Sequence, residues 1–217
     1  MKRLTALLLS GALLLLSGCS ADPAEPSSAD PSLSEPDSST TSPSDDLLTT
    51  DTETTGNRSL VVYFSWSGNT EALALEIQSQ TGADLFEILP ETPYTEDYSV
   101  LVDQAQQEQA EGARPAISGS IDNLSEYDTI YLGYPSWWSD MPMVLYTFLD
   151  SYDLSGKTIC PFVTSGGSGL AGTVEAIREL EPNATVTEGL AVSGSAAADS
   201  AEAVIQWLTN IGTLQNQ

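Results

Sequence analysis

From residue 60 onward the chain alternates between short unbroken apolar runs and longer stretches whose apolar residues recur every three or four positions. Leu60-Val61-Val62-Tyr63-Phe64 is the first run, rich in β-branched and aromatic residues, as a strand covered on both faces requires. Thr70 to Gln80 follows with helical period, turning Leu73, Ala74 and Ile77 inward and stopping at Gly82. Ala83 to Leu89 alternates like a strand, and Asp97 to Gly112 predicts a polar, Gln-rich helix after the Pro93-Tyr94 turn. Tyr127 to Gly133 reads as the third strand, Met141 to Ser151 as a helix with Pro142 in its first turn, and Lys157 to Thr164 as the fourth strand. Leu170 to Leu180 is a helix stopped by Glu181-Pro182; a weaker strand, Ala184 to Leu190, leads to a last helix, Ala197 to Ile211.

Five strands alternating with five helices predict an α/β fold: a doubly wound five-stranded parallel sheet with helices on both faces and right-handed crossovers. In such sheets ligands sit beyond the carboxyl ends of the strands, near the point where strand order reverses. The chemistry is therefore expected after Phe64, after Gly133 and after Thr164.

The pattern before residue 59 is different. Lys2 and Arg3 precede an apolar run, Leu4 to Leu16, that is short for a membrane span but right for a signal-peptide core. The run ends in Leu16-Ser17-Gly18-Cys19, which resembles the bacterial lipoprotein signal. That resemblance implies that residues 1–19 are a signal peptide and that Cys19 is acylated and becomes the mature N-terminus. The alternative is an ordinary secretory signal with an accidental cysteine. Residues 20–58 are dominated by Ser, Thr, Pro, Asp and Glu, with no aromatic residue, and cannot bury enough apolar surface to offset their ordering entropy. They are expected to be a disordered acidic linker of 39 residues, about 35 Å end to end as a flexible coil. The folded domain is then 59–217.

Composition narrows the chemistry. Of the 217 residues, 31 are acidic and 6 basic, a formal net charge of −25. Nucleic acid binding through phosphates needs clustered Lys or Arg and is excluded on that ground. Residues 59–217 retain 22 acids against Arg114, Lys157 and Arg178, so the folded part is itself acidic. The chain has no histidine, which removes Ser-His-Asp and Cys-His catalysis and any His-ligated metal. Two cysteines, Cys19 and Cys160, cannot make a disulfide framework or a four-thiolate site, and Cys160 reads as a small core residue inside a strand. Chemistry is left to a cofactor, to carboxylates, or to nothing.

The three loops carry the candidate residues. Ser65-Trp66-Ser67-Gly68-Asn69-Thr70 joins the first strand to the first helix. It combines hydroxyls, a glycine that permits close backbone approach, and the free N–H groups of a helix start, which hold a phosphate without a cation. A plain helix start capped by Ser67 or Asn69 is the structural alternative. Gly133-Tyr134-Pro135-Ser136-Trp137-Trp138 places adjacent tryptophans beyond the third strand, where they can flank a flat ring or cover the end of the sheet. Ser165-Gly166-Gly167-Ser168-Gly169, after the fourth strand, offers backbone amides and hydroxyls to the edge of a planar ligand. Gly167, Gly169 and Gly172 also satisfy G-x-G-x-x-G, but a dinucleotide fingerprint belongs to the first strand-helix unit of a domain, not the fourth.

Taken together, the three loops resemble the flavin-binding loops of flavodoxins. Ser65-x-Ser67-Gly68-Asn69-Thr70 is similar to the flavodoxin phosphate loop, and Gly-Tyr-Pro-Ser-Trp-Trp followed by Met141-Pro142 looks like a flavodoxin-like family of bacterial secreted and cytoplasmic proteins. The resemblance covers residues 59 to about 212. It implies non-covalent FMN, with Ser65, Trp66, Ser67, Gly68, Asn69 and Thr70 around the phosphate. Pro135, Ser136, Trp137 and Trp138 would lie on one side of the ring, and Ser165, Gly166, Gly167, Ser168 and Gly169 on another, with Tyr94 against the ring or ribityl chain. The flavin would carry the chemistry, with no catalytic side chain and no metal. Surplus negative charge, including Asp140, is expected to lower the potential of a bound flavin. Expected partners are a redox protein or small-molecule electron acceptor and, through the lipid on Cys19, the outer face of the bacterial cell membrane. The competing reading is a non-enzymatic surface lipoprotein that keeps the fold and has lost the flavin. A hydrolase is disfavoured, since the chain has no histidine and no G-x-S-x-G elbow.

Overall fold

A computed structural model describes residues 58–214. Cys19, the signal segment and nearly all of the predicted linker lie outside the described residues. In chain order the elements are β1 (Arg58–Tyr63), α1 (Asn69–Thr81), β2 (Asp84–Glu87), β3 (Leu89–Pro90), α2 (Tyr98–Glu111), β4 (Ile117–Ser118), β5 (Tyr127–Pro135), α3 (Met143–Ser151), β6 (Thr158–Ser165), α4 (Thr173–Leu180), β7 (Thr185–Val186), β8 (Leu190–Ser193) and α5 (Ala201–Asn210). The main sheet runs β2-β1-β5-β6, with β7 and β8 both on the outer edge of β6, and every pairing in it is parallel. Strand order reverses between β1 and β5, so a crevice opens above their carboxyl ends.

The unbroken apolar runs are buried on both faces because alternate residues serve two separate cores. Leu60, Val62 and Phe64 join Ile130, Leu132 and Tyr134 on one face, where Val144, Leu145 and Phe148 of α3 and Ile177 of α4 pack. Val61 and Tyr63 join Tyr131, Cys160 and Phe162 on the other, under Leu73, Ala74 and Ile77 of α1 and Val204, Trp207 and Leu208 of α5. Cys160 is fully buried there, and burial pushes its thiol up to about 11, as suits a core residue and not a redox thiol. Gly133 is a close-approach position: a Cβ on it would lie 2.1 Å from the Phe162 ring.

Several expectations are corrected. The single strand expected over Ala184 to Leu190 is two, β7 and β8, each on a different stretch of β6. The sheet keeps the five expected strand positions, with the fifth split into two segments. Leu89 belongs to a two-residue antiparallel pair, β3 with β4, outside the main sheet. The last helix is divided: Gly194–Asp199 is a 3-10 turn and the α-helix starts at Ala201. The helices expected from Met141 and Leu170 start at Met143 and Thr173, and Pro142 is the residue before its helix. Arg58, assigned to the linker, opens β1 opposite Tyr127, with its guanidinium held by Asp84 and Glu126.

Candidate functional site

The first loop is an open helix start. Gly68 precedes α1 in the left-handed region at φ 81, and no side chain caps the helix. The first intrahelical bond runs from the Ala72 N–H to the Gly68 carbonyl, so the N–H groups of Asn69, Thr70 and Glu71 have no intrahelical acceptor. The side chains considered as caps are paired with each other, the Asn69 amide donating to Ser67 Oγ at 3.1 Å across the glycine. Ser65 Oγ is buried and has no hydrogen-bond partner, a costly state for a hydroxyl unless something else satisfies it. Thr70 is buried, and its hydroxyl shares a 2.8 Å hydrogen bond with Thr164 Oγ1 that pins α1 to β6. Trp66 faces the other way, its indole N–H donating to the Thr95 carbonyl at 2.9 Å.

The second loop divides the two tryptophans. Trp137 packs on the core, edge-on to Phe64 (centroids 5.4 Å apart) and to Tyr94 (5.1 Å). Trp138 is 49% exposed, with φ 51, and Ser139 beside it has φ 64; the indole N–H donates to the Val102 carbonyl of α2 at 3.0 Å. Two consecutive non-glycine residues in the left-handed region are strained, and such strain concentrates at functional loops. Asp140 anchors the loop, accepting from the Met141 N–H, the Tyr146 hydroxyl and Gln109. Its charge is therefore committed to loop geometry.

The third loop is drawn inward. Ser165 Oγ accepts the N–H of Gly169 at 3.0 Å and of Gly167 at 3.4 Å, so these two amides of the G-x-G-x-x-G segment are engaged within their own loop. Ser168 Oγ bonds Ser136 Oγ at 2.8 Å, tying the second and third loops together, while the Ser136 N–H donates to the Thr164 carbonyl. Gly166 and Pro135 sit at the strand ends that hold these loops.

Tyr94 joins the aromatic group through Trp137 and Phe64, and its hydroxyl donates to Glu108 at 2.7 Å. Burial first, and then the Glu108 carboxylate, push its phenol far above the ordinary range. Phe64, Tyr98, Thr164 and Gly194 had no signal as site residues. Tyr98 stands over the first loop by ring contact with Trp66 (6.2 Å), and a Cβ on Gly194 would lie 2.9 Å from the Asn69 amide. All four are brought in by long-range packing that a linear pattern does not carry.

Each basic residue described is occupied elsewhere: Arg58 with Asp84 and Glu126, Arg114 with Asp150, Arg178 with Glu175, and Lys157 on the Tyr127 carbonyl. Near the first loop, burial and then the Glu71 charge raise the Glu87 carboxyl. The field there is negative, yet the open N–H groups and the orphaned Ser65 hydroxyl fit an anionic oxygen cluster. Among the described residues there is no cluster of side chains able to hold a metal.

A parallel sheet of this strand order, with an open helix start at the reversal and two further loops beside it, defines the flavodoxin type of α/β protein. The flavodoxin family model matches residues 58–211, and the chain belongs to that family. Among solved structures, a candidate flavoprotein from Bacteroides uniformis is 33% identical, with 71% of this chain and 99% of that one covered and a TM-score of 0.64. One from Bacteroides eggerthii is 31% identical, covering 72% and 99%, also at 0.64. A Lactobacillus acidophilus flavoprotein solved in complex with FMN is 26% identical, covering 68% and 99%, at 0.55. No curated protein matches the chain.

Proposed function

We propose that this domain binds FMN non-covalently at the carboxyl edge of its sheet and acts as a redox protein, an electron carrier or flavin-dependent reductase. The observation that carries the reading is the start of α1. Its open N–H groups and the unpartnered Ser65 Oγ belong to one loop that carries no cation. Ser67, Gly68 and Asn69 complete the phosphate cradle, with the backbone of Thr70. Pro135, Ser136, Trp137 and Trp138 border the ring from the second loop, and Ser165 to Gly169 from the third. Bound FMN supplies the electron transfer; the chain holds it, orients it and shields it from water. The FMN complex of the Lactobacillus acidophilus relative supports the cofactor.

The acidic surface favours a basic redox protein or an uncharged small acceptor over an anionic one. Cys19, after its apolar leader, would tether the domain by lipid to the outer face of the membrane. Titrating the purified protein with FMN tests the cofactor: quenched flavin fluorescence and a yellow protein are expected. Unquenched FMN would reject this reading in favour of a flavin-free surface lipoprotein. Mass spectrometry of the membrane-extracted protein tests the anchor, which predicts a diacylglyceryl group on Cys19 and release of the Cys19→Ser variant into the medium.

A further inference from the structure

The turn that follows β8 is a fourth element at the start of α1, and it lies outside the three loops. β8 runs beside β6, with Val192 opposite Thr164 and Ser193 opposite Ser165. It therefore ends one residue beyond the threonine that holds Thr70. Gly194 comes next and opens the 3-10 turn, Gly194–Asp199. A Cβ at this position would lie 2.9 Å from Asn69 Nδ2, 3.6 Å from its Cγ and 4.0 Å from its Cβ, so the turn backs the Asn69 side chain along its length. The first turn of α1 is thus located at two successive residues, Asn69 by the β8 turn and Thr70 by β6.

Gly68 is a glycine because its backbone is left-handed, at φ 81, whereas Gly194 lies outside that region. What calls for glycine at 194 is space, since the atom a side chain would meet is the tip of Asn69. Seated there, the Asn69 amide donates to Ser67 Oγ at 3.1 Å. A serine hydroxyl has two lone pairs and one proton to give. The amide fills one lone pair of the exposed Ser67 and leaves it the proton. We infer that Gly194 is a positioning residue of the phosphate cradle: the space it leaves keeps the Asn69 amide on Ser67, and so keeps the Ser67 O–H a donor for phosphate. This rests on the FMN reading above and adds to it a residue that acts through another. At 2.9 Å a methyl at 194 forces a shift, and the flexible amide tip is what yields, releasing Ser67.

Fluorescence titration of FMN and of riboflavin against Gly194→Ala, Asn69→Ala and the double variant tests it. Gly194→Ala should weaken FMN about tenfold, near the low end for a hydrogen bond to a charged group, and riboflavin by less than about twofold. Asn69→Ala alone should lose a similar factor. In the Asn69→Ala background, Gly194→Ala should add nothing, because the side chain it displaces is gone. Melting temperatures should stay within about 2 °C, since only a side-chain tip moves. In flavin-free protein, the Asn69 side-chain amide signals in a nitrogen-15 spectrum should shift in Gly194→Ala and in Ser67→Ala. Unshifted signals, unchanged FMN affinity, equal losses for the two flavins, additive losses in the double variant, or a Gly194→Ala chain that does not fold would each overturn the inference and leave the FMN reading intact. Wild-type protein that takes up no FMN would reject that reading, and this inference with it.

Discussion

The starts of α1 and α2 answer the same chemical problem in opposite ways. Every helix begins with N–H groups that have no carbonyl to meet. At α2 the chain meets them itself: Asp97 takes extended backbone, and its carboxylate accepts the N–H groups of Ser99 at 2.9 Å and Val100 at 3.3 Å, with the Ser99 hydroxyl at 2.7 Å. At α1 the corresponding residue is Gly68, which has no side chain to offer, and the flanking Ser67 and Asn69 satisfy each other. A capped start is finished and inert. An uncapped one, beside a buried hydroxyl with no partner, is what we propose receives the phosphate. In a domain this acidic the difference matters more, because a carboxylate cap at α1 would add yet another negative charge at the proposed phosphate site.

The largest test exchanges the glycine. Gly68→Val should weaken FMN binding about a hundredfold or more, while the left-handed conformation costs about 1–2 kcal/mol of stability. A Cβ at Gly68 meets no protein atom within 4 Å, so a loss of FMN binding would not come from a clash within the protein. Fluorescence titration beside thermal melts separates the two effects. Ser65→Ala should weaken FMN about tenfold yet raise the stability of the flavin-free protein by about 1 kcal/mol, because an unsatisfied buried hydroxyl is removed. A loss of stability would mean the hydroxyl has a protein partner after all.

Asp97→Ala should do the opposite of these, lowering the melting temperature by a few degrees while leaving FMN affinity unchanged. The Ser99 hydroxyl, then the Val100 and Ser99 amides, hold the Asp97 carboxyl below its ordinary 3.8. A depressed carboxylate stabilises the fold above its unfolded value and loses that contribution as pH falls through its folded one. The gap between wild type and variant should thus be constant above about pH 5 and close below pH 4. The smallest effect is expected from Glu71→Gln, which removes an acid from the first turn of α1. FMN should bind about two- to threefold tighter, measured at low salt.

The loops after β1, β5 and β6 were legible because each concentrates residue types that a plain connection does not need, and their strands are unbroken apolar runs. Legibility failed where long-range packing decides. Trp137 and Trp138 are adjacent and chemically identical in sequence, yet Phe64 and Tyr94 bury the first and leave the second over α2. Thr70 and Thr164 share a hydrogen bond although they are 94 residues apart, a contact no linear pattern shows. Tyr98 reads as a surface residue of a first helical turn, and only the fold brings Trp66 against it. The break between β7 and β8 escapes a pattern of apolar positions, since Thr185–Val186 and Leu190–Ser193 are too short to carry a period.

The central claim is that a helix start, and not a cation, holds a phosphate here. Comparing FMN with riboflavin, which differ by that group alone, tests it most directly. The account predicts that FMN binds about a hundredfold tighter. It predicts further that the preference does not fall as salt rises from low to physiological levels, because screening relieves the repulsion from surrounding acids. Equal affinities for the two flavins, or a preference that salt abolishes, would contradict it.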